Sequence, residues 1–264
     1  MIAAATGVQG RVLLGVFAHP DDESLACGGL MARCAALGAA VTLLCATRGE
    51  GGPGAESTSG DSVAARGALA LRRTSELDAA ARVLGISDLV VLDHGDGMLP
   101  WVEAARLEAD IREAIERLRP DVVVTFGPDG LYWHPDHIAV YERTTAVVAA
   151  MTTGVPALYY VTMPPGQMRA VAAHAGGSNI VPGLDDLDAF GALAAPPTLV
   201  IDAGEFAVRK LAALRCHDSQ MAAGPIARIL PADAARLLGR EHFRRAPLGA
   251  SGPSFIDQFA AIVS

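Results

Sequence analysis

Two short stretches gather side chains that can hold a cation and move protons. "FAHPDDESLACGG", residues 17–29, places His19, Asp21, Asp22 and Glu23 directly after an apolar run. "GPDGLYWHPDH", residues 127–137, places His134, Asp136 and His137 after another. His19 and Asp22 with His137 make a two-histidine, one-carboxylate set. Three protein ligands with a fourth position left open is the pattern of catalytic zinc, although iron or manganese accepts the same set. Asp21 is left over beside the ligands, where an unliganded carboxylate can act as general base. His134 could protonate a departing amine or stabilise an oxyanion. Asp136 could hydrogen-bond one of the histidines and fix its ring. Taken singly, "PDDES" is an ordinary turn and helix cap; it is the pairing with a second cluster that points to a metal site.

The surrounding elements must bring the clusters together. "RVLLGVFA" (11–18), "AVTLLCAT" (40–47), "DLVVLD" (88–93) and "DVVVTF" (121–126) are continuous, β-branched and bounded by polar turns, as buried parallel strands are. Helices are expected at about 24–37, 62–84 and 101–119, with Gly38 and Gly85 at C-terminal caps and Pro120 as a stop. A fourth is expected at about 137–152, then a strand at "PALYYVTM", a late strand "TLVIDA" and a helix "EFAVRKLAALRCH". Alternation of this kind predicts an α/β fold, a Rossmann-like, mostly parallel sheet sandwiched by helices. In such a sheet the first and fourth strands are neighbours where the order reverses, and ligands bind at the crevice there. Residues 164–197, rich in Gly, Pro and Asp, read as an irregular segment or small insertion within one domain spanning 1–264. The glycine-rich stretch 49–61 is long for a loop and is a candidate mobile lid.

Composition narrows the class. The 264 residues are 51% apolar and carry a formal charge of −8, which disfavours nucleic acid as a partner. No signal peptide and no membrane span is legible. Cys27, Cys34, Cys45 and Cys216 lack paired spacing and read as small buried hydrophobes of a reducing, cytoplasmic protein. The first strand runs into HPDD where a dinucleotide-binding protein would carry its glycine-rich turn. Oligomeric state is not legible.

"AHPDDE", "TRGEGG" (47–52), "RTSEL" (73–77), "GDGM" (95–98), "HPDH" (134–137) and "HDSQ" (217–220) follow in order and spacing such that the chain resembles the PIG-L/LmbE-like deacetylases from residue 11 to about 220. The resemblance implies a zinc-dependent hydrolase, one metal per chain, that removes the acetyl group of an N-acetylglucosamine-type aminosugar conjugate. It implies His19, Asp22 and His137 as ligands, Asp21 as general base, His134 as stabiliser of the tetrahedral intermediate and Asp136 as the group that holds His134. Substrate contacts are implied for Arg73, with Asp96 and His217 as further candidates. Simpler roles stand beside these: an Arg73–Glu76 ion pair on one helix face, a turn aspartate at Asp96 and a helix-end cation at His217. Glu50 could buttress the metal loop. Trp133, bulky where many relatives have a small residue, and Tyr132 before it could stack on a sugar or simply anchor packing. Relatives that cleave larger amides, and a sugar-binding protein that keeps the fold without catalysis, are the rival readings.

Overall fold

The computed structural model describes residues 7–55, 62–176, 186–191, 196–221 and 224–261. The four apolar runs form β1 (Val12–Phe17), β2 (Ala40–Thr47), β3 (Asp88–His94) and β4 (Val122–Phe126), joined by β5 (Ala157–Thr162), β6 (Leu199–Asp202) and β7 (Arg240–Gly249). The sheet order is β3-β2-β1-β4-β5-β7-β6. β1 pairs in parallel with both β2 and β4, Leu14 lying opposite Thr42 on one side and Val123 on the other. The strand order therefore reverses between β1 and β4, and the loops that leave their C-terminal ends share one crevice.

The helices are α1 (Asp22–Ala36), α2 (Ser62–Leu84), α3 (Ala104–Leu118), α4 (Gly130–Trp133), α5 (Pro135–Ala150), α6 (Gln167–Ala175), α7 (Ala207–Cys216), α8 (Asp218–Met221) and α9 (Pro231–Leu238). α1, α2 and α7 pack against one another, and α3 packs against α5. The main core runs along both faces of the sheet, while a second apolar cluster joins α6, α7, α9 and Phe190. None of the described helices is long and apolar enough to cross a membrane. All four cysteines are free, and three of them are buried.

Three features depart from the expected elements. The segment read as irregular contains α6 and a short 3-10 turn, Leu187–Ala189, with 177–185 and 192–195 outside the described residues. α5 begins at Pro135, inside the HPDH motif, so that His134 is its N-cap. β7, which the sequence did not announce, lies between β5 and β6 and is antiparallel to both.

β7 also stabilises α1. That helix breaks at Cys27 (φ −149°, ψ 25°), which frees backbone N–H groups in its second half. Glu241 of β7 accepts from Gly29 N–H at 2.8 Å and from Leu30 N–H at 2.7 Å, while Lys210 Nζ lies 2.6 Å from the same carboxylate. Position 29 must be glycine, because a Cβ there would lie 2.6 Å from that of Ala203.

Candidate active site

The loop after β1 is folded on itself by Asp22, whose Oδ2 accepts from His19 N–H at 2.7 Å. His137, in the first turn of α5, stacks on Phe126 of β4 with ring centroids 4.0 Å apart. The two clusters then meet: His19 Nδ1 lies 3.1 Å from His137 Nε2, and Asp22 lies 3.4 Å from the former and 3.2 Å from the latter. The other nitrogen of each ring is already committed as a donor. His137 Nδ1 faces the Gly130 carbonyl at 3.0 Å, and His19 Nε2 faces Asp96 at 3.0 Å and Asp136 at 3.1 Å. Neutral rings therefore turn two lone pairs and a carboxylate toward one point, with no proton between them. A tetrahedral cation with ligand bonds near 2.1 Å requires ligand atoms about 3.4 Å apart, so the spacing fits a zinc-sized ion. Burial works against a charged His19, but Asp136, Asp22 and Asp96 outweigh it and hold its pKa well above the ordinary value. Burial is likewise outweighed at Asp22, which His137 and His19 hold well below the carboxylate range.

The remaining residues surround this point. Asp21 heads α1 in a left-handed conformation, φ 119° and ψ −25°. Burial raises its pKa to about 6, against the opposing charge of Arg73. Arg73 is itself buried; it reaches Asp21 Oδ2 at 3.1 Å and the carbonyls of Pro20 and Gly49 at 2.6 and 2.8 Å. The alternative of an Arg73–Glu76 pair is not formed because Arg73 turns inward; Arg72 pairs with Glu76 instead, at 3.0 Å. His134 Nδ1 accepts from Asp136 N–H at 3.2 Å, which leaves any ring proton of the neutral side chain on Nε2. Burial, with His137 and His19 adding, lowers its pKa to about 4. The Asp136 carboxylate holds His19 rather than His134, and it also accepts from Gly97 and Leu99 N–H at 2.7 and 3.1 Å. The expected contact is thus corrected: Asp136 touches His134 through its backbone, because its carboxylate is drawn to the loop after β3. Asp96 accepts from Gly51 N–H at 2.8 Å and approaches His19, which carries its pKa down to about 2 in spite of burial.

His217 does not line an open pocket. It is fully buried, with Nε2 2.9 Å from Glu23 Oε1. Burial disfavours its charge, yet Glu23 raises its pKa. The "HDSQ" and "RTSEL" motifs are clipped together: Ser219 donates to Glu76 through its backbone at 2.9 Å and its hydroxyl at 2.6 Å. Glu50 buttresses the site by accepting from Asp96 N–H at 2.8 Å. Within the candidate lid, Gly49, Gly51 and Pro53 are tied down by Arg73, Asp96 and Gln220, while 56–61 lie outside the described residues. Tyr132 packs on Phe190 and His137, whereas Trp133 (φ 67°) is exposed. Sequence reasoning missed Glu23 and Gly130 as partners of the site. Glu23 carried a signal, being the last residue of "AHPDDE"; the Gly130 carbonyl carried none.

The family described as "PIG-L: GlcNAc-PI de-N-acetylase" matches residues 14–149, from within β1 to the last turn of α5. A 1D-myo-inositol 2-acetamido-2-deoxy-alpha-D-glucopyranoside deacetylase of Kineococcus radiotolerans is 33% identical over 93% of this chain and 80% of its own. The solved structure of N,N'-diacetylchitobiose deacetylase from Pyrococcus horikoshii is 20% identical and superposes with a TM-score of 0.61 over 90% of this chain and 84% of that one. A 4-carboxy-2-hydroxymuconate hydratase from Pseudomonas putida superposes at 0.64 with 18% identity, covering 92% and 99%. At these identities the two structures share the fold, and their different reactions show that the fold alone does not choose the bond. With the family match covering both the HPDD and HPDH motifs and relatives above 30% identity spanning both chains, this chain belongs to the PIG-L family of LmbE-like deacetylases.

Proposed function

We propose that the chain is a zinc-dependent N-deacetylase acting on an N-acetylglucosamine-type aminosugar conjugate. The observation that carries the reading is the convergence of His19 Nδ1, His137 Nε2 and the Asp22 carboxylate, three acceptors with no donor among them, beside the unliganded Asp21. The names of the relatives support the sugar, and an inositol-linked N-acetylglucosamine is the first conjugate to try.

His19, Asp22 and His137 would hold the metal. When bound it would polarise the acetyl carbonyl and lower the pKa of water toward neutrality. Asp21, fixed by Arg73, takes the proton of the attacking water. The water oxygen bonds to the acetyl carbon, and the Nε2–H of neutral His134 donates to the carbonyl oxygen as it gains charge. The C–N bond then breaks, Asp21 returns its proton to the departing nitrogen, and acetate and the free amine remain. Asp136 and Asp96 keep the His19 ring turned so that Nδ1 faces the metal.

The test is acetate release from inositol-linked, disaccharide and glycopeptide-linked N-acetylglucosamine compounds, with metal content measured in parallel and Asp21→Asn as control. Acetate release that falls at least 100-fold in the control supports the reading. A metal-loaded protein that is silent on every acetyl substrate but cleaves a longer acyl amide would replace it with the larger-amide reading.

A further inference from the structure

We propose that Glu23, braced by His217, is a positioning residue that fixes the backbone of Asp21 in the conformation catalysis requires. Asp21 is a non-glycine residue at φ 119°, a conformation that persists only where its surroundings over-determine it. Its side chain is held by Arg73 and its carbonyl accepts from Leu25 N–H at 3.1 Å. Its own N–H is taken by Glu23 Oε2 at 3.1 Å. The other oxygen of Glu23 accepts from the Ser24 hydroxyl at 2.5 Å and faces His217 Nε2 at 2.9 Å. Both members of the Glu23–His217 pair are fully buried. A charged Glu23 without its histidine would be an uncompensated buried ion. With it, the carboxylate is locked between the end of α7 and the peptide of Asp21.

A first-turn carboxylate can also act merely as a helix cap. A cap has no need of a buried histidine partner 194 residues away in the chain. Such a partner makes sense where one peptide must be kept in a strained orientation. His217 thereby links the C-terminal half, outside the residues that match the family, to the general base.

The inference rests on the reading of Asp21 as the base, so its test has one readout independent of turnover. In the crystal structure of Glu23→Ala, Asp21 is expected to leave the positive-φ region. In assays, Glu23→Ala and His217→Gln are expected to lower kcat about 10- to 100-fold, since displacement by about 1 Å costs up to that much, with KM within threefold and metal content unchanged. Glu23→Gln, which keeps an acceptor for the Asp21 N–H, is expected to recover part of the loss. In an Asp21→Asn background the same substitutions are expected to change the residual rate less than twofold, because residues acting as a unit are non-additive. Asp21 retaining its backbone in Glu23→Ala, or equal losses in both backgrounds, would overturn the proposal. Should Glu23→Ala not fold, His217→Gln is read by the same structure and rates. A wild-type protein without deacetylase activity whose Asp21 still turns over in the variant would defeat the functional reading and leave the clamp standing.

Discussion

His19 Nδ1 and His137 Nε2 lie 3.1 Å apart, and with both rings neutral and their opposite nitrogens protonated neither donates to the other. Their opposite nitrogens are committed to carboxylates and to the Gly130 carbonyl. A cation held between the two neutral rings would satisfy both lone pairs, so stability should be linked to metal. Dialysis against a chelator is expected to lower folding stability by about 2–3 kcal/mol relative to protein kept in zinc at a hundredfold excess over its Kd. His137→Ala should bind less than a tenth of the wild-type metal, and its unfolding midpoint should not respond to the chelator. Metal analysis and denaturant unfolding on the same samples check both points. A chelator response that survives in His137→Ala would place the cation elsewhere.

The Glu76–Ser219 contact explains why two motifs far apart in sequence belong to one site. Ser219 gives Glu76 two hydrogen bonds, and Gln220 beside it reaches the Pro53 carbonyl at 3.3 Å. Glu76→Ala should cost about 1–3 kcal/mol, because it strands a half-buried donor pair. It should also raise hydrogen exchange at residues 217–221. Arg72→Ala should cost at most about 1 kcal/mol, since both of its ion pairs involve a largely exposed guanidinium. Equal losses in the two variants would mean that the ion pairs, not the serine contacts, hold the clip.

The candidate metal cluster was legible because its chemistry is local in type. Histidines and carboxylates at the ends of β1 and β4 announce themselves, and the parallel order of those strands follows from continuous apolar runs. Which acceptor each donor finds was not legible. Asp136 and His134 are two residues apart, and the family resemblance implied that the carboxylate holds that imidazole; the structure gives the carboxylate to His19 and two backbone N–H groups of the loop after β3. Arg73 and Glu76 likewise have helix-pair spacing, but Arg73 turns inward toward Asp21. β7, "REHFRRAPLG", carries four charges and no continuous apolar run that would announce a strand. Only the fold supplies the partners that allow Glu241 to be buried within it.

The buried pair Glu241–Lys210 makes the second half of α1 dependent on the far end of the chain. Their side chains are 0% and 5% exposed. Glu241→Ala leaves Lys210 unpaired and two helix N–H groups free, and should cost about 3–5 kcal/mol. Lys210→Met should cost less, because Glu241 keeps its two backbone donors. The double variant Lys210→Met with Glu241→Gln should be less destabilised than the sum of its singles, through the coupling expected of contacting residues. Chemical denaturation of the four proteins measures this, and strict additivity would contradict the pairing.

His242, beside Glu241 on β7, should give the protein a stability that falls in mild acid. Burial, with Arg240 and Lys210 adding, lowers its pKa from 6.5 to about 4. Between those values the unfolded chain binds a proton that the folded chain refuses, so stability rises with pH across the window. The contribution is fully present above the unfolded value and is lost as pH drops toward the folded one. His242→Gln removes that titration while leaving the other groups in place. The wild-type minus variant difference in unfolding free energy should therefore become more negative from pH 7 to pH 5, as read from urea midpoints at several pH values. A difference that stays constant over that range would mean that His242 titrates alike in the folded and unfolded chain, and that the cationic side chains around β7 do not reach it.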